Sequence, residues 1–258
     1  MNLSLSGKTA IVCGSTQGIG LAAAQELASL GAQLILIARN EEKLKTVIGS
    51  FTGKNHRYIV ADFSKPEELD TILQEKLVET ELHILVNNTG GPAGGLIYQA
   101  KPSEFINTFN QHLICNHIMV QHVWPKMKVA GYGRIINVIS TSVKQPLGGL
   151  GVSNTIRGAV ASWSKTLANE LGQYNITVNN VLPGATATGR LDEIITNKAD
   201  KTGQEKENIL KQMASAVPMN RIAQPNEVAN AIAFLASPAA SYINGINVPV
   251  DGGRTGCL

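Results

Sequence analysis

Short apolar runs recur along the chain at intervals of about 25 residues, with amphipathic stretches of helical period between them, as in βαβ units feeding a parallel sheet. The runs at 9–13, 33–38, 57–61, 84–87, 134–139, 177–181 and 247–250 are the predicted strands, and the stretch at 19–30 is the first predicted helix. Right-handed crossovers place helices on both faces of such a sheet and open the ligand site at the carboxyl ends of its strands. The expected fold is α/β: one doubly wound Rossmann-type domain over residues 1–258, with a seven-stranded parallel sheet and no linker or internal repeat. One stretch breaks the rhythm. Residues 189–208 are rich in Lys, Glu, Asp, Asn and Thr, where a compact fold usually has a short connection. They read as a solvated surface insertion or as a mobile substrate lid at about 185–215.

Composition narrows the function. With 258 residues, 43% of them hydrophobic and 25 glycines, the chain can bury one sizeable α/β core. Its longest apolar runs, 34–38 and 231–236, fall far short of the ~20 residues of a membrane helix. A net charge of +3 without a clustered basic stripe gives no reason to expect a nucleic-acid partner. Cys13, Cys115 and Cys257 are widely spaced and include no Cys-x-x-Cys pair, so neither a disulfide framework nor a metal site is expected. The first eight residues lack a secretory pattern, and a reducing cytoplasm is the expected compartment.

The candidate chemistry begins at Gly14-Ser15-Thr16-Gln17-Gly18-Ile19-Gly20, directly between the first strand and its helix. Glycines there allow positive φ and close backbone approach, and the free amides of a helix start attract a pyrophosphate. The spacing is one residue longer than the usual dinucleotide fingerprint, and the same glycines would also serve a plain tight turn. The second strand ends at Arg39, where an NAD site would carry an acid for the ribose 2′-hydroxyl. Arg39 offers a planar fork to a 2′-phosphate, favouring NADP(H), with NAD(H) as the alternative. Asp62 after the third strand and Asn87-Asn88-Thr89-Gly90 after the fourth are further cofactor candidates.

The order of these motifs resembles the short-chain dehydrogenase/reductase family from Gly7 to Gly253. The glycine turn has Cys13 in place of the family's Thr, and Thr89 stands where the family has Ala in Asn-Asn-Ala-Gly. Gly133 to Ser140 and Asn180-Val-Leu-Pro183-Gly184 are similar to further family segments, and the C-terminal pattern through Asp251-Gly-Gly253 is similar to that of 3-oxoacyl-acyl-carrier-protein reductases. The resemblance implies a cofactor held by Gly14, Ser15, Thr16, Gln17, Gly18, Ile19, Gly20, Arg39, Asp62, Phe63, Asn88, Gly90, Arg157, Pro183, Gly184, Thr186 and Thr188. It also implies a homo-oligomer, tetramer or dimer, and a small-molecule or acyl-thioester substrate.

The family's catalytic set of Asn, Ser and Tyr-x-x-x-Lys is retained at Ser140 alone. Ser153 stands at the Tyr position, Arg157 at the Lys position and His112 at the Asn position. A phenol near a Lys ammonium can protonate a developing alkoxide, whereas a serine hydroxyl is far less acidic and Arg, with a pKa above ~12, cannot relay a proton. His112 brings an imidazole that titrates near pH ~6.5. Three functions remain open: an NADP(H)-dependent carbonyl reductase using Ser140, Ser153, His112 and Arg157; a nucleotide-binding protein without turnover; and a lyase or isomerase with His112 as base. The substrate, including a possible 3-oxoacyl thioester, is not legible in these residues.

Overall fold

The computed structural model describes residues 1–53 and 55–257. Its sheet has seven parallel strands in the order β3-β2-β1-β4-β5-β6-β7. They are β1 (Thr9–Cys13), β2 (Gln33–Ala38), β3 (Arg57–Val60), β4 (Ile84–Asn87), β5 (Gly133–Val138), β6 (Ile176–Pro183) and β7 (Asn247–Val250). The order reverses direction between β1 and β4, so a crevice opens at their carboxyl ends. The predicted strands all form, with ends shifted by at most two residues, because apolar runs mark a strand's middle better than its last hydrogen bond.

Successive side chains of a strand face opposite sides of the sheet, and here both sides are buried. On β2, Leu34, Leu36 and Ala38 enter one core while Ile35 and Ile37 enter the other. On β1, Ala10 and Val12 oppose Ile11 and Cys13 in the same way. The first core is closed by α1 (Gly18–Ser29) and α9 (Pro225–Ala236), whose small residues Ala22, Ala23, Ala229 and Ala233 let the helices approach closely. The second is closed by α3 (Pro66–Lys76), α5 (Cys115–Ala130) and α6 (Gly151–Leu171), through Leu69, Leu73, Met119, Val123 and Leu171.

Near the carboxyl edge, four asparagines cross the sheet in register. Asn87 donates to Asn137 at 2.9 Å, Asn137 to Asn180 at 3.1 Å and Asn180 to Asn247 at 2.8 Å. A slip of one residue would orphan the buried amides, so the ladder pins the level at which the site loops leave the sheet.

The polar stretch after β6 is not a long loop. It folds as α7 (Gly189–Thr202) and α8 (Lys206–Ser215), with Gly203 closing α7 at φ +71°. Leu191, Ile195 and Ile209 form a small core of their own. Leu191 and Ile195 are one turn apart, so the Lys, Glu and Asp residues that dominate the composition are the solvent side of an amphipathic pair. No helix among the described residues is long and apolar enough to cross a membrane.

Candidate functional site

At the start of α1, packing dictates the residues. A Cβ on Gly14, where φ is +61°, would stand 2.3 Å from the Asn88 carbonyl oxygen, and one on Gly20 would stand 2.2 Å from that of Gly14. Asn88 then fastens the turn, its Nδ2 donating to the Cys13 and Gly14 carbonyls at 3.3 and 3.4 Å. Ser15 is buried, with its hydroxyl 3.5 Å from the Ile37 carbonyl. Gln17 supplies no side-chain cap, so the first amides of α1 face the crevice without the usual internal acceptor. Uncapped amides at a strand-to-helix turn fit a nucleotide's diphosphate.

The other expected cofactor residues follow the strands β2, β3 and β6. Arg39 is exposed just past β2. Burial raises the Asp62 carboxyl, but the Ser64 amide and hydroxyl, then Arg39 and Lys65, outweigh it and hold the group below its ordinary range. Phe63 is buried and its carbonyl accepts from Cys115 at 3.1 Å. Thr188 leans over Gly18, with its methyl 3.1 Å from where a Cβ would stand, so the start of α7 meets the start of α1. A Cβ on Gly184 would stand 2.9 Å from the Asp251 Cα, and Thr186 is buried. Pro183 ends β6.

The second half of the site is made of side chains. Ser153 and Arg157 are one turn apart on α6 and share a face. Arg157 is 7% exposed, and its Nη1 donates to the Val138 carbonyl at 3.2 Å, two residues before Ser140. Ser140 leaves β5 with its hydroxyl accepting from the Ser142 amide at 3.1 Å. Burial, then the neighbouring Arg190, pulls the Arg157 guanidinium down to about 10, which leaves it charged at neutral pH.

His112 sits in a π-helical turn, Asn110–Ile114, between α4 (Pro102–Phe109) and α5. Such bulges are frequent at functional sites. The imidazole is fully buried, its Nδ1 lies 2.6 Å from the Thr89 hydroxyl, and its Nε2 has no partner among the described residues. Burial, then Arg157, holds it well below 6.5 against a weaker pull from Gly90, so the ring is neutral at neutral pH. Among the described residues no group of three His, Cys, Asp or Glu is placed to hold a metal. His117 and His122 are engaged separately, with Trp163 and Asp70.

Three side-chain contacts appear only in the fold. Thr89 holds His112, Gln111 donates to the Gly90 carbonyl at 3.2 Å, and Arg190 on α7 donates to the Pro92 carbonyl. With Asn88 they make residues 88–92 the hub that ties the glycine turn to His112 and Arg190. Thr89 carried a signal, as the odd residue in its motif. Arg190 carried none, being one charge in a polar stretch.

The family model described as enoyl-(acyl carrier protein) reductase matches residues 14–255. The chain belongs to the short-chain dehydrogenase/reductase family. Among curated proteins of this kind, the 3-oxoacyl-[acyl-carrier-protein] reductase FabG of Haemophilus influenzae is 34% identical, covering 96% of this chain and 98% of that one. The NADPH-dependent reductase BacG of Bacillus subtilis is 31% identical over 96% of this chain and 98% of its own. The crystal structure of L-sorbose reductase from Gluconobacter frateurii, complexed with NADPH and L-sorbose, superposes with a TM-score of 0.92 at 30% identity and covers all of both chains. As in other short-chain dehydrogenase/reductase folds, the sheet is covered by helices on both sides.

Proposed function

We propose that this chain is an NADP(H)-dependent reductase acting on a carbonyl of a small molecule. The observation that carries the reading is the charged, buried Arg157, anchored to the end of β5 beside Ser140, on the same sheet edge as the uncapped start of α1. NADPH-dependent and NADPH-bound relatives support the choice of cofactor. The first amides of α1 with Gly14 to Gly20 would hold its diphosphate, and Arg39 its 2′-phosphate.

The cofactor, when bound, would supply a hydride, two electrons with one proton, to the carbonyl carbon. Ser140 donates to the substrate oxygen. Arg157 stabilises the charge that grows there and, at the position of the family's Lys, would also hold the nicotinamide ribose. Its pKa, high even after the downward shift, leaves proton delivery to other groups. That proton comes from water and is relayed by Ser153 or by the neutral ring of His112, which Thr89 orients and whose buried Nε2 has no protein partner among the described residues. The α7–α8 pair covers the substrate as a lid, and the chain works as a cytoplasmic homo-oligomer, dimer or tetramer. A 3-oxoacyl thioester is one substrate this reading admits.

The test is NADPH oxidation across a broad carbonyl panel, with Ser140→Ala lowering kcat about 100-fold. Tight NADPH binding without turnover of any carbonyl would discard the reading. It would favour a nucleotide-binding protein in which Ser153→Tyr with Arg157→Lys switches reduction on.

A further inference from the structure

We propose that the substrate carries a free carboxylate, held between Arg157 and Arg190 beside Gly91. This rests on the reductase reading and narrows its substrate class. A Cβ on Gly91 would find Arg190 Nε at 3.7 Å, Arg190 Nη2 at 3.8 Å and Arg157 Nη2 at 4.0 Å, so two guanidinium groups lie against the same face of one glycine. Arg157 comes from α6 and Arg190 from α7, so neither helix alone places the pair.

The protein does little to neutralise these charges. Arg157 is 7% exposed, its Nη1 is bound to the neutral Val138 carbonyl, and it meets no carboxylate among the described residues. Arg190 is bound to the neutral Pro92 carbonyl and to Glu193 at 3.1 Å, but the Glu193 side chain is 66% exposed and screened by water. His112, which feels the Arg157 charge, is neutral and buried and adds no negative charge. Two cations set together in a partly desolvated place, with only the exposed Glu193 as a counter-charge on one of them, repel each other at a cost that an acidic ligand removes.

Other occupants satisfy the arrangement less well. A ribose hydroxyl accepts a hydrogen bond but leaves both charges in place. The phosphates of NADPH belong with the start of α1 and Arg39. An alkoxide forms there only in the transition state, so it would leave the bound ground state uncompensated. A carboxylate suits the planar forks of two arginines and can sit next to a reducible carbonyl, as in oxo acids. The loop 90–92, with two glycines and a proline, leaves its backbone close to such a ligand.

The experiment compares pyruvate with methyl pyruvate and acetoacetate with methyl acetoacetate as substrates of the intact enzyme with NADPH, and measures malonate binding by calorimetry without cofactor. The acids should be preferred. Arg190→Gln should lower the acid-to-ester ratio of kcat/KM about 10- to 100-fold, and Arg190→Lys should restore much of it. Malonate binding should weaken equally in Arg190→Gln and persist in Arg39→Gln and in the surface control Lys198→Gln. Should Arg190→Gln fail to fold, Glu193→Gln serves: freeing Arg190 of its acid should raise malonate affinity severalfold, and a fall would overturn the proposal. Esters preferred over acids, or malonate binding that survives Arg190→Gln or is lost in Arg39→Gln, would also overturn it. Binding of inorganic phosphate but not malonate at the Arg190-dependent site would do the same. If no carbonyl compound is reduced while malonate binding still depends on Arg190, the reductase reading falls and the anion site stands.

Discussion

At the start of α1 the backbone makes the binding surface, and the glycines are there because nothing larger fits between the turn and Asn88. At the reaction end, around Arg157, side chains make it, and they come from the loop after β4, the π turn, the end of β5, and helices α6 and α7. The first kind of surface tolerates almost no change without losing shape. The second can exchange one functional group for another while the scaffold stays, which is how Ser153, Arg157 and His112 occupy positions where the resemblance leads one to expect Tyr, Lys and Asn.

The largest effect should come from breaking the first surface. In Gly20→Ala the new methyl meets the Gly14 carbonyl oxygen at 2.2 Å, and because that oxygen belongs to the backbone, the turn or the helix must move. A loss of about 3 kcal/mol in urea unfolding is expected, with NADPH affinity falling at least tenfold. Wild-type stability and affinity in this variant would show that the turn is slack and the contrast between the two ends false. Next comes Arg39→Gln, which keeps the turn and removes only a charge. NADPH affinity should drop about 10- to 100-fold and NADH affinity hardly change, as titration of both cofactors would show. Equal losses for both would take Arg39 away from the 2′-phosphate.

The same contrast explains what could be read from the residues. The strands and the first turn were legible because both follow from local constraints: two-sided burial produces continuous apolar runs, and close packing demands glycine. The two helices within 189–215 were not legible, because Leu191, Ile195 and Ile209 are few among many charges and the small core they form needs α7 and α8 folded together. At the Arg157 end, Ser140, Ser153, Arg157 and His112 could be proposed by counting along the family resemblance. Their partners could not: the contact of Thr89 with His112 spans 23 residues, that of Arg190 with Pro92 spans 98, and neither leaves a local pattern. Residue identity was readable; which groups face one another depended on the sheet bringing distant loops to one edge.

The smallest effect probes the reaction end through pH. Unfolded, His112 takes up a proton near pH 6.5, while in the fold burial and Arg157 oppose that proton. Below pH 6.5 the unfolded chain therefore binds more protons than the native one. The contribution is complete above 6.5 and is lost as the pH falls from there toward the depressed native value. The slope it adds is at most about 1.4 kcal/mol per pH unit. His83, also shifted down by burial and then by Lys8, adds a slope of the same sign. Urea unfolding at about pH 7.5 and about pH 5.5 should show wild type losing roughly 1 kcal/mol more than His112→Asn, with the His83 part left in both. An equal loss in the two proteins would mean that His112 is as easily protonated folded as unfolded, and a neutral imidazole could then no longer be assigned to the proton path.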